Sequence, residues 1–445
     1  MSFKTRVFAA FLTLLLLSGC RGETDEPLFG AIERQFEFED VRTVISLLQM
    51  HFVDPVAEEP FVEAGCEAIA DFVDEGGAEP SIIEKLLRTG APRPLIRCDS
   101  VETVEDLREI YEGAVDGGAE PSALAVVTNV GITRSLGHSH TGFTSISAED
   151  TGKLEAMTLG LSWIWSDGTW LVWEVEAGSA ASNAGLRPGD RVVRVDGVEV
   201  SKWRGVTTLD RTLVLRIERP KTAPFEVKIS LETRNRIIDG RMLARGISYP
   251  RITSFYPLNA TADQAGATIR TLVTNTIYAL HDQRPQAWIL DLRGNRGGAD
   301  DMCSYVTALF GTGNPRIEPP YRREGRQEFP QGYLPLPLEP MRPIVVLVDG
   351  LSASCSEIMA EALRQGSGAT IVGTKSPGFA ELGISGPVGN GSLHITIARI
   401  KIGRIGIYLE GVGVTPDHTV RLDASELARG YDAQLEFALN LLSAP

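Results

Sequence analysis

Apolar residues recur at helical spacing in the first third of the chain, where loops that contain proline interrupt the pattern. One predicted helical face carries Val41, Val44, Ile45 and Leu48, and this spacing is typical of an amphipathic helix. Proline-containing loops recur as far as residue 92. The pattern predicts a small helical module over residues 37–150, which follows a polar tether at 21–36.

Short strands and glycine turns replace this pattern over residues 152–236. A Leu-Gly-Leu-Ser string precedes a tryptophan-rich strand, and an Asp-Gly pair at 196–197 is a hairpin signal between two apolar runs. The segment resembles a PDZ domain, which binds the C-terminal carboxylate of a peptide. The resemblance implies that the carboxylate is bound by Leu159, Gly160, Leu161 and Ser162. A small β domain that only packs against its neighbours is the alternative.

Strand and helix patterns alternate over the rest of the chain, residues 237–445. Strands are predicted at 247–255 and through residue 290, and helices at 261–280, at about 300–310 and at 431–442. Such alternation is typical of α/β layering. We therefore expect a third, α/β domain here.

A buried strand at 345–348 stops at Asp349-Gly350, and small residues lead from there through Ser354 into a helical pattern. A strand, a tight turn and a helix in this order expose a hydroxyl group. The helix start adds unpaired backbone N–H groups, and small neighbours let a substrate approach, as an acyl-transfer nucleophile requires. A serine that only caps the helix is the alternative.

Three strings along the chain carry a family resemblance. They are Asp-Leu-Arg-Gly-Asn-Arg-Gly-Gly at 291–298, Ser-Ala-Ser-Cys-Ser-Glu at 352–357 and Glu-Gly-Val-Gly-Val-Thr-Pro-Asp at 410–417. From about residue 35 to its end, the chain resembles the tail-specific (C-terminal processing) and tricorn-core peptidases. The resemblance implies a multidomain α+β protein whose catalytic domain has the ββα-spiral fold of crotonase-like and Clp-type proteins. It also implies a serine endopeptidase that hydrolyses exported or unfolded proteins.

The general base distinguishes two branches of that family. Where the Ser-Lys branch has its lysine, this chain has Phe379, which cannot accept a proton, and Lys375 is displaced by four positions. The tricorn-like branch uses a Ser-His pair, matched by residues 139–140, and a glutamate before the last string. The resemblance therefore implies a nucleophile, a base and two orienting groups, which are Ser354, His140, Ser139 and Glu410 respectively.

The histidine base sets an expected pH dependence. An ordinary histidine titrates between roughly pH 6 and 7, so we expect kcat/KM to rise in that range. His138 and His140 could also be metal ligands, but zinc needs further ligands that the neighbouring sequence does not supply. We expect no metal and no cofactor.

The oxyanion of an acyl-transfer reaction needs backbone donors beside the nucleophile. We expect the N–H groups of Gly298 and Cys355 to supply them, with Gly297 allowing the backbone to approach closely. Cys355 is also a weaker candidate nucleophile. A catalytically inactive protein that only binds peptides, through the PDZ groove and the cleft, is the alternative function. The complete set of serine, histidine and glutamate argues against that alternative.

Charge and the N-terminal segment indicate the partners and the location. The formal net charge of −15 disfavours nucleic acid as a partner. Residues 1–20 combine Lys4 and Arg6 with an apolar run that is too short to span a bilayer, followed by Leu-Ser-Gly and Cys20. This pattern predicts a lipoprotein signal, lipidation at Cys20 and a protein tethered in the bacterial cell envelope. A plain secretory signal is the alternative.

Four cysteines remain after that signal. In an oxidising compartment an even number permits disulfides. The pairings to test first are Cys66 with Cys98, in the helical region, and Cys303 with Cys355, in the catalytic region. Free buried thiols are the alternative.

Overall fold

The computed structural model describes residues 36–74, 96–145, 157–166, 168–201, 212–233, 237–255, 262–311, 335–339, 342–403 and 405–443. Cys20 and the rest of the predicted lipoprotein signal lie outside these residues. In the described part of the chain, none of the helices combines the length and the apolarity needed to cross a bilayer.

The helical module packs amphipathic helices against one helix, Pro121–Ser135, that is buried on most sides. Caps at the helix starts fix two of them. Thr103 accepts a hydrogen bond from the N–H of Asp106, and Glu120 accepts from the N–H groups of Ser122 and Ala123, which follow a proline at the first helical position. A disulfide joins Cys66 to Cys98. The elements are α1 (Phe38–His51), α2 (Glu59–Asp74), α3 (Val104–Asp116), α4 (Pro121–Ser135) and β1 (Gly142–Thr144).

The PDZ-like segment forms a sheet with strand order β3-β4-β5-β7-β8, with β6 beside β5 and a separate β2-β9 pair. Its core includes Trp170, Val172 and Val192, and it also takes in Leu351 from the turn before Ser354. The segment therefore packs directly against the nucleophile turn. Its elements are β2 (Met157–Thr158), β3 (Leu161–Ser166), β4 (Thr169–Val175), α5 (Ala180–Asn183), β5 (Arg191–Val195), β6 (Val198–Glu199), β7 (Thr212–Glu218), β8 (Phe225–Ser230) and β9 (Glu232–Thr233).

The region predicted to be catalytic, residues 237–445, contains a six-stranded sheet with strand order β10-β11-β12-β13-β14-β17, in which all pairs except β10-β11 are parallel. Buried apolar strands of this kind need helices on both faces. The strands are β10 (Ile238–Leu243), β11 (Ile247–Ile252), β12 (Ala287–Asp291), β13 (Ile344–Val348), β14 (Thr370–Gly373) and β17 (His418–Thr419). The helices are α6 (Ala262–His281), α7 (Asp300–Leu309), α8 (Cys355–Ser367), α9 (Ala424–Leu427) and α10 (Ala433–Leu441), with a 3₁₀ turn at Ala244–Gly246.

One hairpin of the catalytic region completes the helical module. Its strands, β15 (Glu381–Val388) and β16 (Gly391–Arg399), form a three-stranded sheet with β1 in the order β1-β16-β15. Leu393, Ile395 and Ile397 lie in the same apolar core as the helices of the module. A division of the chain at residue 237 therefore does not separate the cores, and the hairpin holds the segment after α4 against the catalytic region.

Candidate active site

Ser354 lies at the turn between β13 and α8 in a backbone conformation that is unusual for a residue with a side chain. Its φ is 53° and its ψ is −118°, a combination that costs energy and persists only where neighbours hold it. The N–H of Ser354 donates to Glu357 Oε2 at 3.0 Å, and the N–H of Ala353 donates to the carbonyl of Asn295 at 3.0 Å. These bonds fix the hydroxyl at the surface of the turn.

Glu357 accepts four of the hydrogen bonds that hold this turn, and it is not among the site residues predicted from the sequence. Besides the N–H of Ser354, it accepts hydrogen bonds from the hydroxyl of Ser376 and from the N–H groups of Gly378 and Phe379. Its side chain is fully buried, and burial raises the pKa of its carboxyl to about 7. The Ser-x-x-Glu spacing at 354–357 is a capping signal that could have revealed it.

Glu357→Gln is expected to change how stability depends on pH. The pKa of this carboxyl is raised from 4.5 to about 7 on folding. The contribution of this raised pKa to the free energy of unfolding is therefore fully present below pH 4.5 and is lost as pH rises through 7. The shift corresponds to about 3 kcal/mol, so the free energy of unfolding of Glu357→Gln relative to the natural protein should increase by that order between pH 4.5 and 8. Denaturant titrations of both proteins at the two pH values measure it, and an unchanged difference contradicts it.

His140 lies between the nucleophile and a second serine. Its Nε2 is 3.3 Å from Ser354 Oγ, and its Nδ1 is 2.8 Å from Ser139 Oγ. The loop is held by β1, which pairs with β16, and by Thr141, whose hydroxyl bonds to the hydroxyl and the N–H of Thr396 at 3.0 Å each. With its proton on Nδ1, the ring presents Nε2 as an acceptor to the Ser354 hydroxyl.

Glu410 contacts Ser139 rather than the imidazole ring. It accepts from the N–H of Ser139 at 3.3 Å and from the N–H of Ala380 at 2.8 Å. The hydroxyl of Ser139 also donates a hydrogen bond to this carboxylate. Burial, together with the charge of Glu381, raises the pKa of the Glu410 carboxyl. The orienting effect expected of Glu410 therefore reaches His140 through Ser139.

The protonation of His140 differs from that of an ordinary histidine. Burial, followed by the charges of His394 and His138, lowers the pKa of His140 to about 3. The expected titration of this base between pH 6 and 7 is therefore not supported, because a ring that is partly withdrawn from water is costly to charge. His138 has the opposite shift: its Nδ1 is 2.8 Å from Glu381 Oε2, and this hydrogen bond raises the pKa of His138. The base is neutral, and thus ready to accept a proton, across the neutral pH range.

The glycine loop after β12 faces the nucleophile turn. A Cβ on Gly297 would lie 2.7 Å from the Cβ of Ser354 and 2.9 Å from the nitrogen of Cys355, and the φ of Gly297 is +98°. Only glycine allows this approach. The N–H of Gly297 donates to Asn295 Oδ1 at 2.9 Å. The glycine loop therefore lies directly against Ser354 and the N–H of Cys355.

The cysteines occur as two disulfides. Cys303 pairs with Cys355, and Cys66 pairs with Cys98, the two pairings that the sequence analysis placed first. Because the sulfur of Cys355 is bonded to that of Cys303, it carries no thiol. Cys355 as an alternative nucleophile is therefore wrong for this state of the protein.

Lys375 and Phe379, which decided the general base expected from the sequence, lie in the loop after β14. Lys375 is exposed, and no described hydrogen bond joins it to Ser354. Phe379 is half-buried, and its N–H donates to Glu357. Within the described residues, no group of three or more His, Cys, Asp or Glu side chains is placed to hold a metal ion.

The predicted carboxylate-binding loop lies at the start of β3 but makes contacts of its own. The N–H of Gly160 donates to Thr158 Oγ1 at 2.9 Å, and the hydroxyl of Ser162 accepts from Arg251 Nη2 of the catalytic region at 2.6 Å. Leu159 is buried and Leu161 pairs with Val175 of β4. Glu232 places its carboxylate 3.2 Å from the nitrogen of Ala180 beside the loop. A peptide carboxylate would have to compete with these internal partners.

Comparisons with known proteins match both the region that contains Ser354 and the PDZ-like segment. Residues 246–420 match the model of peptidase family S41, and residues 171–212 match the model of a PDZ domain. A carboxy-terminal-processing protease of Bartonella bacilliformis is 28% identical over 269 residues, which cover 57% of this chain and 59% of that protein. A carboxyl-terminal-processing protease of Synechocystis is 28% identical over 292 residues, 60% of this chain and 63% of that protein. The chain thus spans about three fifths of the length of these relatives.

Solved structures show the same fold over most of the chain. A putative S41 protease from Bacteroides fragilis superposes with a TM-score of 0.52 at 13% identity, covering 90% of this chain and 97% of that chain. A photosystem II D1 C-terminal processing protease superposes with a TM-score of 0.50 at 18% identity, covering 92% of this chain and 97% of that chain. The multidomain α+β architecture expected from the sequence is confirmed.

Proposed function

We infer that this chain, whose residues 246–420 belong to peptidase family S41, is a serine endopeptidase that uses a histidine as its general base. The observation that carries this proposal is the hydrogen-bonded series from Ser354 through His140 and Ser139 to Glu410. A protein that had kept the fold only to bind peptides would have no need of a strained serine aligned with a neutral imidazole. The inactive alternative is therefore disfavoured.

The first chemical step is the attack of Ser354 Oγ on the carbonyl carbon of the scissile peptide bond. His140 Nε2, 3.3 Å away, takes the hydroxyl proton as the C–O bond forms. The imidazolium that results keeps its Nδ1 proton on the Ser139 hydroxyl, whose own proton points to Glu410. The buried carboxylate stabilises the positive charge that develops on the ring, which offsets the low intrinsic basicity of His140.

The negative charge develops on the carbonyl oxygen and is held by the backbone. The N–H groups of Gly298 and Cys355 act as donors, and neither makes a described hydrogen bond within the protein. His140 then returns the proton to the leaving amine, and the peptide bond breaks to leave an ester on Ser354. Water, deprotonated by the same ring, hydrolyses the ester and restores the serine.

We propose that the substrates are exported or unfolded polypeptides, recognised in part by their C-termini. The support is the PDZ match and the packing of the PDZ-like core on Leu351, three residues before the nucleophile. An extended, unfolded segment can reach a serine that lies in a turn between domains, whereas a folded chain cannot.

Recognition of C-termini predicts a difference between two forms of one peptide. A peptide with a free, hydrophobic C-terminus is expected to bind several-fold more tightly than its amidated form, because the amide lacks the charge that backbone N–H groups bind. Titration of both forms into the full-length Ser354→Ala protein, which cannot consume them, measures this difference. Equal affinities would reduce the PDZ-like segment to a packing domain while leaving the peptidase proposal intact.

We further propose that the protein is lipidated at Cys20 and tethered in the bacterial cell envelope. The support is the sequence of residues 1–20, together with the two disulfides, which suit an oxidising compartment. The acylated mass and membrane fractionation of the natural protein and of Cys20→Ser test this. An unchanged mass and fractionation in the variant would contradict the proposal.

A further inference from the structure

One disulfide joins the two chain segments that meet at Ser354. Cys355 is the first residue of α8 and follows Ser354 directly, and Cys303 lies in α7. The Cα atoms of the pair are 5.7 Å apart, and both residues are buried in the main core of the catalytic region. The covalent link therefore ties α7 to the residue whose N–H is one of the proposed oxyanion donors.

The second proposed donor is coupled to the other end of the same link. Gly298 is followed by Ala299, whose carbonyl accepts from the N–H groups of Met302 and Cys303 at 3.1 and 3.3 Å in the first turn of α7. The N–H of Ala299 donates to the carbonyl of Phe255 at 3.2 Å. Gly298 is thus joined to Cys303 through one turn of helix, and the disulfide closes the path from Gly298 to Cys355.

The glycine loop takes its rigidity from bonds to neighbouring segments, among them the hydrogen bond from the N–H of Phe255 to the carbonyl of Gly297 at 2.8 Å. Gly294, Gly297 and Gly298 all have positive φ values, and glycine gives the backbone the greatest freedom. A hydrogen bond from the N–H of Ala353 to the carbonyl of Asn295 holds the two segments together on one side of Gly297. The disulfide holds them on the other side. Oxyanion donors stabilise the transition state only if they are already in place when the charge develops.

We propose that the Cys303–Cys355 disulfide is a positioning link of the oxyanion hole, which keeps the N–H groups of Gly298 and Cys355 at a fixed separation. Cys303 and Cys355 act as positioning residues through backbone donors, not through sulfur chemistry. The inference rests on the proposed peptidase function and adds a requirement to it: full turnover needs this disulfide, beyond what the disulfide contributes to stability.

The chain offers a matched control. The Cys66–Cys98 disulfide has the same Cα separation of 5.7 Å and a sequence separation of 32 against 52 residues, so removing either disulfide should lower the melting temperature comparably. It lies in the core of the helical module. The variants to compare are Cys303→Ala/Cys355→Ala and Cys66→Ala/Cys98→Ala. Both keep the N–H of residue 355, so a loss of turnover reports its position rather than its removal.

The test is steady-state hydrolysis of an unstructured peptide well below both melting temperatures, with a peptide aldehyde as a mimic of the tetrahedral intermediate. Removing a whole oxyanion donor typically costs about 10² to 10³ in kcat, so displacing one should cost about tenfold or more. We expect this loss for Cys303→Ala/Cys355→Ala with KM within about twofold, and a parallel loss of aldehyde affinity. For Cys66→Ala/Cys98→Ala we expect both constants within about twofold of the natural protein.

Two results would overturn the positioning role: a kcat of Cys303→Ala/Cys355→Ala within twofold of the natural protein, or equal losses in both double variants. If the natural protein does not hydrolyse the peptide, the proposed function fails together with this inference.

Should the alanine variant fail to fold, Cys303→Val/Cys355→Ala fills the space better. A second route is to reduce the Cys66→Ala/Cys98→Ala protein with dithiothreitol, which gives two electrons and two protons to the Cys303–Cys355 disulfide and becomes a cyclic disulfide. The same loss of kcat is expected there, and unchanged turnover of the reduced protein would overturn the proposal.

Discussion

Replacing His140 with alanine is expected to lower kcat by about 10⁴ or more. The base contributes roughly 10² to 10⁴ through proton transfer, and it also activates the nucleophile, which is a poor one as a neutral hydroxyl. The 3.3 Å contact between His140 Nε2 and Ser354 Oγ is the geometric reason. Steady-state kinetics on an unstructured peptide measure the effect, and KM should change little because the ring binds no ground-state group.

Lys375→Ala is the control for this experiment and should stay within a few-fold of the natural protein. Lys375 is exposed, and Phe379 stands where the family resemblance would place a lysine base. Glu410→Gln should fall between the two variants, because Glu410 acts on the ring through Ser139. An inactive Lys375→Ala beside an active His140→Ala would mean that the lysine is the base and that our assignment is wrong.

Ser354→Ala is expected to abolish hydrolysis, with a loss on the order of 10⁵ to 10⁶ in kcat, as in hydrolases whose nucleophile and base act as one unit. Its melting temperature should change by no more than about two degrees, because only a partly exposed hydroxyl is removed and the N–H bond to Glu357 remains. Full turnover in the variant, or a large loss of stability, would mean that Ser354 is a structural cap.

His140→Ala and Ser354→Ala should also be strongly non-additive. Once the serine is absent, the histidine has no hydroxyl to activate, so the double variant should be scarcely less active than Ser354→Ala alone. Independent, multiplying losses would show that the two side chains do not act on the same step.

The local parts of the site could be predicted because each is encoded within a few residues. A strand, Asp-Gly and small residues before a helix place Ser354 on an exposed turn, and the following N–H groups come with any helix start. The Gly-Gly pair after β12 is likewise a local signal, and the structure gives Gly297 a positive φ and a close approach to Ser354. The strands and the helix on either side of these two turns occur in the structure in the predicted order.

The relations between distant segments could not be predicted in the same way. His140 is held against Ser354, 214 positions away, by a hairpin at residues 381–399 that packs with the N-terminal helices. The hydrophobic pattern of a segment does not show which distant segment it packs against. From the sequence, this hairpin was therefore expected to belong to the catalytic region. The shift of the His140 pKa to about 3 has the same origin, because it depends on burial among distant segments and on the charges of His394 and His138. Glu357 was overlooked because a capping spacing does not disclose partners 19 to 22 residues away.

Covalent labelling tests most directly whether Ser354 is a nucleophile that His140 activates. The full-length natural protein is treated with a fluorophosphonate probe at neutral pH, and the modified residue is located by mass spectrometry after proteolysis. We predict a single adduct on Ser354 and much slower labelling of His140→Ala. Labelling of a different residue, or of Ser354 at the same rate without His140, would contradict the account.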